Sequence, residues 1–344
     1  MGKINILQVQ YGEAFILECR RGENKGVVVV DGGPTVCGNS FIDIVWKCLP
    51  IDLMVLTHYD EDHIGGVLAL IENCQDCGEE IPIKEIWANC AKYVEVADST
   101  RTSPGQGVNL AIILAEYAGR GRLAWRYDIC EGYKVDLKFA DIEVVSPTEE
   151  VMKMAIKKQE IEDGAPTSAT NRTNVDLQTT FEDLARNKVK APNLNQPSPL
   201  ANAASIAFVL RCDDFSILML GDCYPHNVVT YLRAKGYSEA NPLKVDYVKV
   251  SHHGSRNNTS NELMDIIKCS NYIISTNGGD GSTNHPDREA FAHILCHPTR
   301  DFNERMHFYL NYPVDEIVDN GAPFVNEWEY VKYNFIVHDN ITEL

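Results

Sequence analysis

Two histidines and three acidic residues fall within six positions, at His58, Asp60, Glu61, Asp62 and His63, in the run Thr57-His58-Tyr59-Asp60-Glu61-Asp62-His63-Ile64-Gly65-Gly66. Imidazoles and carboxylates crowded onto a turn converge on divalent metals. Imidazole suits zinc, iron or manganese, and carboxylate shifts the preference toward harder ions. A solvated acidic loop accounts for an isolated pair such as Asp60 and Asp62, but not for this spacing. Further along come Gly221-Asp222, then Ser251-His252-His253-Gly254-Ser255, then His285-Pro286. No G-x-S-x-G elbow, Walker-type loop or G-x-G-x-x-G after a strand occurs, which removes the serine-hydrolase, NTPase and dinucleotide readings.

Each of these groups stands where a strand should end. Ile4 to Val9, Ala14 to Cys19 and Val27 to Val30 read as a strand meander ending at Asp31-Gly32-Gly33-Pro34. A helix is predicted at Ser40 to Cys48. Ile51 to Leu56 is an apolar strand stopping at Thr57, and helical character resumes from Ile64 to Glu72. Lys84 to Ala88 reads as a strand, Val108 to Ala118 as a helix, and Lys134 to Val145 as two short strands. A hairpin, Ser205 to Arg211 with Phe215 to Leu220, runs into Gly221-Asp222. Val245 to Val250 leads to Ser251-His252, and Tyr272 to Ser275 to Asn277-Gly278-Gly279. Residues 148–200 differ, with a charged stretch, a polar stretch and the Pro-rich run Ala191 to Pro199. This segment is predicted to be an insertion or lid, helical at Val151 to Glu162 and Leu177 to Lys188, and a surface for a protein partner. No internal repeat is present, so a solenoid or propeller is excluded.

Taken together, these residues resemble the metallo-β-lactamase superfamily. Its H-x-H-x-D-H-x-G-G signature is met at His58, Asp62, His63, Gly65 and Gly66, with Asp60 in place of the second histidine. The hydrolase domain of ComEC competence proteins and its soluble relatives carries H-x-D-x-D-H-x-G-G, which this loop satisfies throughout. The same branch opens on a G-x-G-D-A-x-L-like turn and D-x-G, similar to Tyr11-Gly12-Glu13-Ala14-Phe15-Ile16-Leu17 and Asp31-Gly32-Gly33. It then carries N-x-x-S, G-D, H-H-G-S and H-P, found here in order at Asn202 and Ser205, Gly221-Asp222, His252 to Ser255, and His285-Pro286. The resemblance implies a four-layer αββα sandwich over one domain, 1–344, with 297–344 as a C-terminal extension.

It also implies a ligand set. Asp222 would bridge two metal ions; His58 and Asp60 would complete one site, and Asp62, His63 and one or both of His252 and His253 the other. Asn202 stands where a third histidine would fall. That makes the first site oxygen-rich and weaker, suited to manganese or magnesium, with zinc at the second. Paired metals activate water for hydrolysis without a protein nucleophile. Asp62 and His285 are the expected catalytic residues, and Asn202, Ser255, Arg256 and His285 the expected substrate contacts. The implied activity is a phosphodiesterase or nuclease acting on a nucleotide, single-stranded DNA or another phosphoester. The reading from another class is a metal-holding protein-interaction module. Lactam or thioester hydrolysis fits less well, because the histidine set is incomplete.

Composition limits the remainder. The 344 residues are 44% hydrophobic and 23% charged, enough to bury a substantial core. The net charge of −18 argues against an extended nucleic-acid footprint, so a small nucleotide or short strand held by metals and one or two arginines fits better. No apolar run is long enough to span a bilayer, and Met1 to Ile6 lacks a signal-peptide core; a cytoplasmic protein is expected. Eleven scattered cysteines read as free thiols of a reducing compartment. Cys74 and Cys77, with Cys90 as their sole near companion, read as ordinary thiols rather than a zinc site.

Overall fold

The run Val27 to Val30 is β-branched throughout, which favours strand. Its alternate residues enter different cores: Val28 and Val30 face one way and Val29 the other. The same division recurs across the molecule and sets its layers. The computed structural model describes residues 1–90, 106–161, 177–279 and 284–344.

The first sheet runs in spatial order β1 (Lys3–Ile6), β2 (Phe15–Arg21), β3 (Asn24–Val30), β4 (Ile51–Leu56), β5 (Ile83–Ala88) and β6 (Ala124–Arg126). It is antiparallel as far as β3 and parallel from there. The second sheet is built from β7 (Lys134–Asp136), β8 (Asp141–Ser146), β9 (Ala207–Arg211) and β10 (Ser216–Met219) as an antiparallel half. Beside it, β11 (Leu243–Lys244) pairs separately with β13 (Ile267–Lys268), while β12 (Tyr247–Lys249), β14 (Asn271–Ile274), β15 (Met306–Leu310) and β16 (Phe335–His338) continue the second sheet in parallel from β10.

Between the sheets lies one core, in which Phe15, Leu17, Val28, Leu53 and Trp87 meet Ile142, Phe208, Leu210, Ile217 and Met219. A second core sits under α1 (Gly38–Val45), α2 (Glu61–Cys77) and α3 (Gln106–Gly119), on the outer face of the first sheet. Residues 148–200 contribute α4 (Glu149–Ile161), α5 (Phe181–Leu184) and α6 (Pro197–Ala203). The third core, on the outer face of the second sheet, is closed by α5 with α7 (Pro225–Ala234), α8 (Asn261–Met264), α9 (Arg288–Leu295) and α10 (Val314–Asp319), and α11 (Glu327–Lys332) packs beside it through Tyr330. The layers are therefore helix, sheet, sheet, helix.

Several expectations change. Segment 297–344 is no appendage: it supplies β15 and β16, and Leu344 exchanges two 2.9 Å backbone hydrogen bonds with Ile4 at the edge of the first sheet. Within 148–200, α4 forms as expected, but the second helix contracts to α5, whose Phe181 is fully buried with Leu184 in the helix-side core. The Pro-rich end forms α6 with Pro197 in its first turn, where a missing N–H costs nothing. The predicted polar stretch, Ala165 to Asp176, lies outside the described residues. The predicted strand Val245 to Val250 is interrupted, since Val245 and Asp246 separate β11 from β12.

Candidate metal centre

β4, β10, β12 and β14 all point their C-terminal ends at one edge of the sandwich, and each hands the chain to a loop carrying polar side chains: Thr57-His58, Gly221-Asp222, Ser251-His252-His253 and Ser275-Thr276. Thr57 O accepts from Ile206 N at 2.8 Å, tying the end of β4 to the start of β9 across the two sheets. Asp60 is the N-cap of α2 but makes no capping bond; its Oδ2 lies 3.6 Å from His58 Nε2 instead. Asp62 and His63 occupy the first turn of α2, where the helix dipole favours a carboxylate.

α2 can dock so closely only because of its glycines. A Cβ on Gly66 would stand 2.0 Å from Gly32 O, and one on Gly65 2.2 Å from Thr35 N. The approach lets Gly32 N donate to His63 O at 2.8 Å and brings His63 to Asp31. At the opposite loop, His252 (φ 50°), His253 (φ 54°) and Gly254 (φ 84°) are consecutive left-handed residues. For two histidines that is a strained backbone, of the kind held in place at functional sites.

The imidazoles follow one rule. His63 Nδ1 lies 2.8 Å from Asp31 Oδ2, His253 Nδ1 2.8 Å from Ser275 O, and His252 Nδ1 3.2 Å from Asn258 Oδ1. Asn258 Nδ2 donates to Asp222 O (2.9 Å) and Cys223 O, so its oxygen must accept. His58 Nδ1 lies 3.1 Å from Thr57 Oγ1, whose own hydrogen goes to Asp31 Oδ2, and 3.3 Å from Ser205 Oγ. In all four rings Nδ1 therefore carries the hydrogen, and Nε2 is left with its lone pair facing inward.

Those Nε2 atoms meet carboxylates at 3.4–3.9 Å, separations at which only His253 Nε2 to Asp62 Oδ2 is within hydrogen-bond reach. His58, His63 and His252 lie 3.9, 3.5 and 3.5 Å from Asp222 Oδ2, and His63 and His253 lie 3.7 and 3.4 Å from Asp62 Oδ2. Two donors sharing one tetrahedral zinc at about 2.0–2.1 Å stand roughly 3.3–3.4 Å apart. Nε2 of His58 and His63 and Oδ1 of Asp222 are buried without a hydrogen-bond partner among the described residues, which is costly unless a cation completes them. The ligand atoms of His58, His63 and Asp222 lie within 4.8 Å of one another, as do those of Asp62, His63 and His253. The donor set thus fits divalent metal.

Charge balance matches this geometry. Burial pushes the carboxyls of Asp62 and Asp222 up, but the surrounding imidazoles more than offset it and hold both below the usual carboxylate range. Burial opposes the charge on His63 and His253 too, and the nearby carboxylates outweigh it and raise both. His252 is the exception: burial brings it down to about 4, against the pull of Asp222.

All the sequence-predicted ligands, His58, Asp60, Asp62, His63, Asp222, His252 and His253, are thus brought together. Asn202, at the end of α6, places Nδ2 3.5 Å from His252 Nδ1 and leaves Oδ1 buried without a partner among the described residues. His285 sits at the rim, its ring 5.4 Å from that of His252, with Nδ1 3.3 Å from Asp287 Oδ2. Arg256 is committed to acidic neighbours, Asp287 at 2.7 Å and Glu289 at 3.2 Å. Ser255 is buried and joins the site through its backbone, accepting from Asn258 N at 3.1 Å.

The positioning residues Asp31, Thr57, Ser205, Asn258, Glu13 and Lys249 carried no assigned role in the sequence. Lys249 is the most telling: fully buried, it pairs with Glu13 and donates to Gly221 O at 2.9 Å, directly before Asp222. A lysine flanked by valines in a strand was its signal. Glu13 Oε1 lies 3.4 Å from His253 Nδ1, and burial raises its carboxyl against the pull of Lys249.

Residues 11–88 match the sequence model of the metallo-beta-lactamase superfamily. The helix–sheet–sheet–helix architecture is consistent with the metallo-β-lactamase fold. Among solved structures, the chain is similar to the metallo-beta-lactamase fold protein YhfI from Bacillus subtilis, at 9% identity over 100% of this chain and 98% of that one, with a TM-score of 0.39. It is similar to a diphosphatase from the PhnP family at 8% identity, 100% and 97% coverage and a TM-score of 0.43. It is also similar to unliganded yeast PDE1 at 11% identity, 99% and 98% coverage and a TM-score of 0.46. No curated protein matches the sequence.

Proposed function

We propose that this protein is a metal-dependent phosphoesterase, a phosphodiesterase or nuclease, holding two divalent ions of zinc or manganese. The observation that carries the reading is the common orientation of His58, His63, His252 and His253: every Nδ1 is tied to a protein acceptor and every Nε2 faces a shared carboxylate. His58 and Asp60 would hold one ion, Asp62, His63 and His253 the other, and Asp222 both, with His252 beside Asp222. Bound ions supply Lewis acidity and activate water.

The chain's own residues set what surrounds that chemistry. Asp31, Ser275 O and Asn258 keep the imidazoles in one tautomer, and the Asp222 backbone is held by Ser205 Oγ (3.2 Å) and Asn258. His285, at the rim beside Asp287 and His252, is placed to meet a leaving-group oxygen. Asn202, with its free carbonyl oxygen, orients a substrate hydroxyl. The resemblance of Thr57 to Gly66 to ComEC-type loops adds single-stranded DNA as a candidate substrate, while the net charge of −18 favours a short one.

The test is hydrolysis of a chromogenic phosphodiester and of a single-stranded oligonucleotide by protein loaded with Mn²⁺ or Zn²⁺. Turnover of both supports a nuclease, and turnover of the small diester alone supports a nucleotide-sized substrate. Full metal loading with neither activity transfers the assignment to the metal-holding interaction module.

A further inference from the structure

Away from the metal centre, two hairpins from different sheets meet. Cys19 lies on β2, opposite Gly26 and far from the Asp31 end of β3; Cys212 opens the turn between β9 and β10, at the end remote from Ser205. Asp213 N donates to Arg20 O at 2.8 Å, Gly22 N to Asp213 Oδ2 at 2.7 Å, and the Arg20 guanidinium to both oxygens of Asp214 at 3.2 and 3.0 Å. These contacts clamp residue 20 against 213 and bring the neighbouring side chains, Cys19 and Cys212, to the same core between the sheets, where the two thiols interact; Cys212 Sγ also lies 3.3 Å from Phe215 O and Cys19 Sγ 3.8 Å from Leu17 O. Cys19 is buried and Cys212 half-buried.

We propose that Cys19 and Cys212 form a reversible modification site, at which peroxide closes a disulfide between the two sheets. The pair has the division of labour such a site needs, an accessible attacking thiol and a sheltered resolving one. The contact with Cys19 brings the Cys212 thiol down to about 6 despite its partial burial, aided by backbone hydrogen bonds in the turn; the same contact pushes Cys19 up.

The Cys212 thiolate attacks one oxygen of hydrogen peroxide; the O–O bond breaks, hydroxide leaves and takes a proton to become water, and Cys212 becomes a sulfenic acid. The Cys19 sulfur then attacks Cys212; the S–O bond breaks, and the thiol proton leaves with the hydroxide as a second water. Two thiols lose two electrons in all, and one peroxide gains them. The disulfide joins the sheets at the end opposite the metal ligands, so it alters stability and leaves turnover in place.

The experiment treats the whole protein with hydrogen peroxide, alkylates the remaining thiols, and maps disulfide peptides by mass spectrometry beside thermal unfolding. The expected result is a Cys19–Cys212 cross-link as the major product, loss of two free thiols, and a Tm higher by a few degrees that dithiothreitol reverses. Cys212→Ser abolishes the cross-link and the Tm rise. In Cys19→Ala the cross-link is lost, and Cys212, without the neighbour that lowers its thiol pKa, oxidises more slowly and stalls at a sulfenic acid that dimedone traps. A major disulfide between other cysteines, or Cys212 oxidised to sulfinic acid while Cys19 remains alkylatable, overturns the proposal.

Discussion

Three imidazole Nε2 atoms, those of His58, His63 and His252, converge on Asp222 Oδ2. Asp222→Ala should therefore lose metal and turnover together; full metal stoichiometry with retained hydrolysis would exclude the shared-ligand arrangement. Asp31 makes no ligand contact but accepts from Thr57 N, Thr57 Oγ1 and His63 Nδ1, all at 2.8 Å. Asp31→Asn keeps the shape and removes the charge that fixes the His63 tautomer. Metal affinity should fall by roughly 10–100-fold, as measured by competition with a chelating dye, with an unchanged circular dichroism spectrum. An affinity equal to that of the unmodified protein would make Asp31 a packing residue only.

At the scale of elements, the described residues 177–200 of the predicted insertion are anchored to the helix-side core through α5. Phe181 is fully buried, its ring 5.1 Å from that of Tyr333, and Arg288 lies over it while donating to Thr179 O at 2.9 Å. Arg288 also pairs with buried Glu329, so α5, α9 and α11 are locked together at one point. Phe181→Ala should cost about 3–5 kcal/mol, the usual range for emptying a buried phenylalanine site. Denaturant unfolding measures that loss, and metal content of the folded fraction should be unaffected. A change below about 1 kcal/mol would mean the segment detaches easily and acts as a lid after all. The sequence predicts a helix over Leu177 to Lys188, and the one turn that forms, Phe181–Leu184, carries its apolar spacing; its burial depends on Arg288 and Tyr333, which come from far along the chain.

Across the whole molecule, stability and metal binding are coupled through protons. His63 and His253 have folded pKa values above their unfolded value of about 6.5. Their protonated forms stabilise the metal-free fold fully below that pH, and the contribution is lost as pH rises through the raised values. Metal requires neutral imidazole and displaces those protons. The Tm increase on adding Zn²⁺ or Mn²⁺ to chelated protein should thus be larger at about pH 8 than at about pH 6. An equal or reversed difference in scanning calorimetry would detach these histidines from the metal. Among the described residues no helix is long and apolar enough to cross a membrane.

The sequence alone determined the donor types and their order along the chain, because His58 to His63, Asp222 and His252-His253 are local runs at predicted strand ends and ligand identity is a property of each residue. Ile51 to Leu56 was legible to the residue, since an apolar strand followed by Thr57 and a polar turn has sharp local boundaries. Strands β15 and β16 were not, because their pairing depends on parallel neighbours brought from a distance. Only the tertiary structure decided which nitrogen of each histidine faces the carboxylates. The groups that settle it, Asp31 for His63, Ser275 for His253 and Asn258 for His252, act through hydrogen bonds formed when loops from both sheets meet at one edge. The buried Glu13–Lys249 pair has the same origin: Glu13 lies in the loop before β2 and Lys249 on β12 of the second sheet, and a charge at either position is tolerable only because the fold supplies the other.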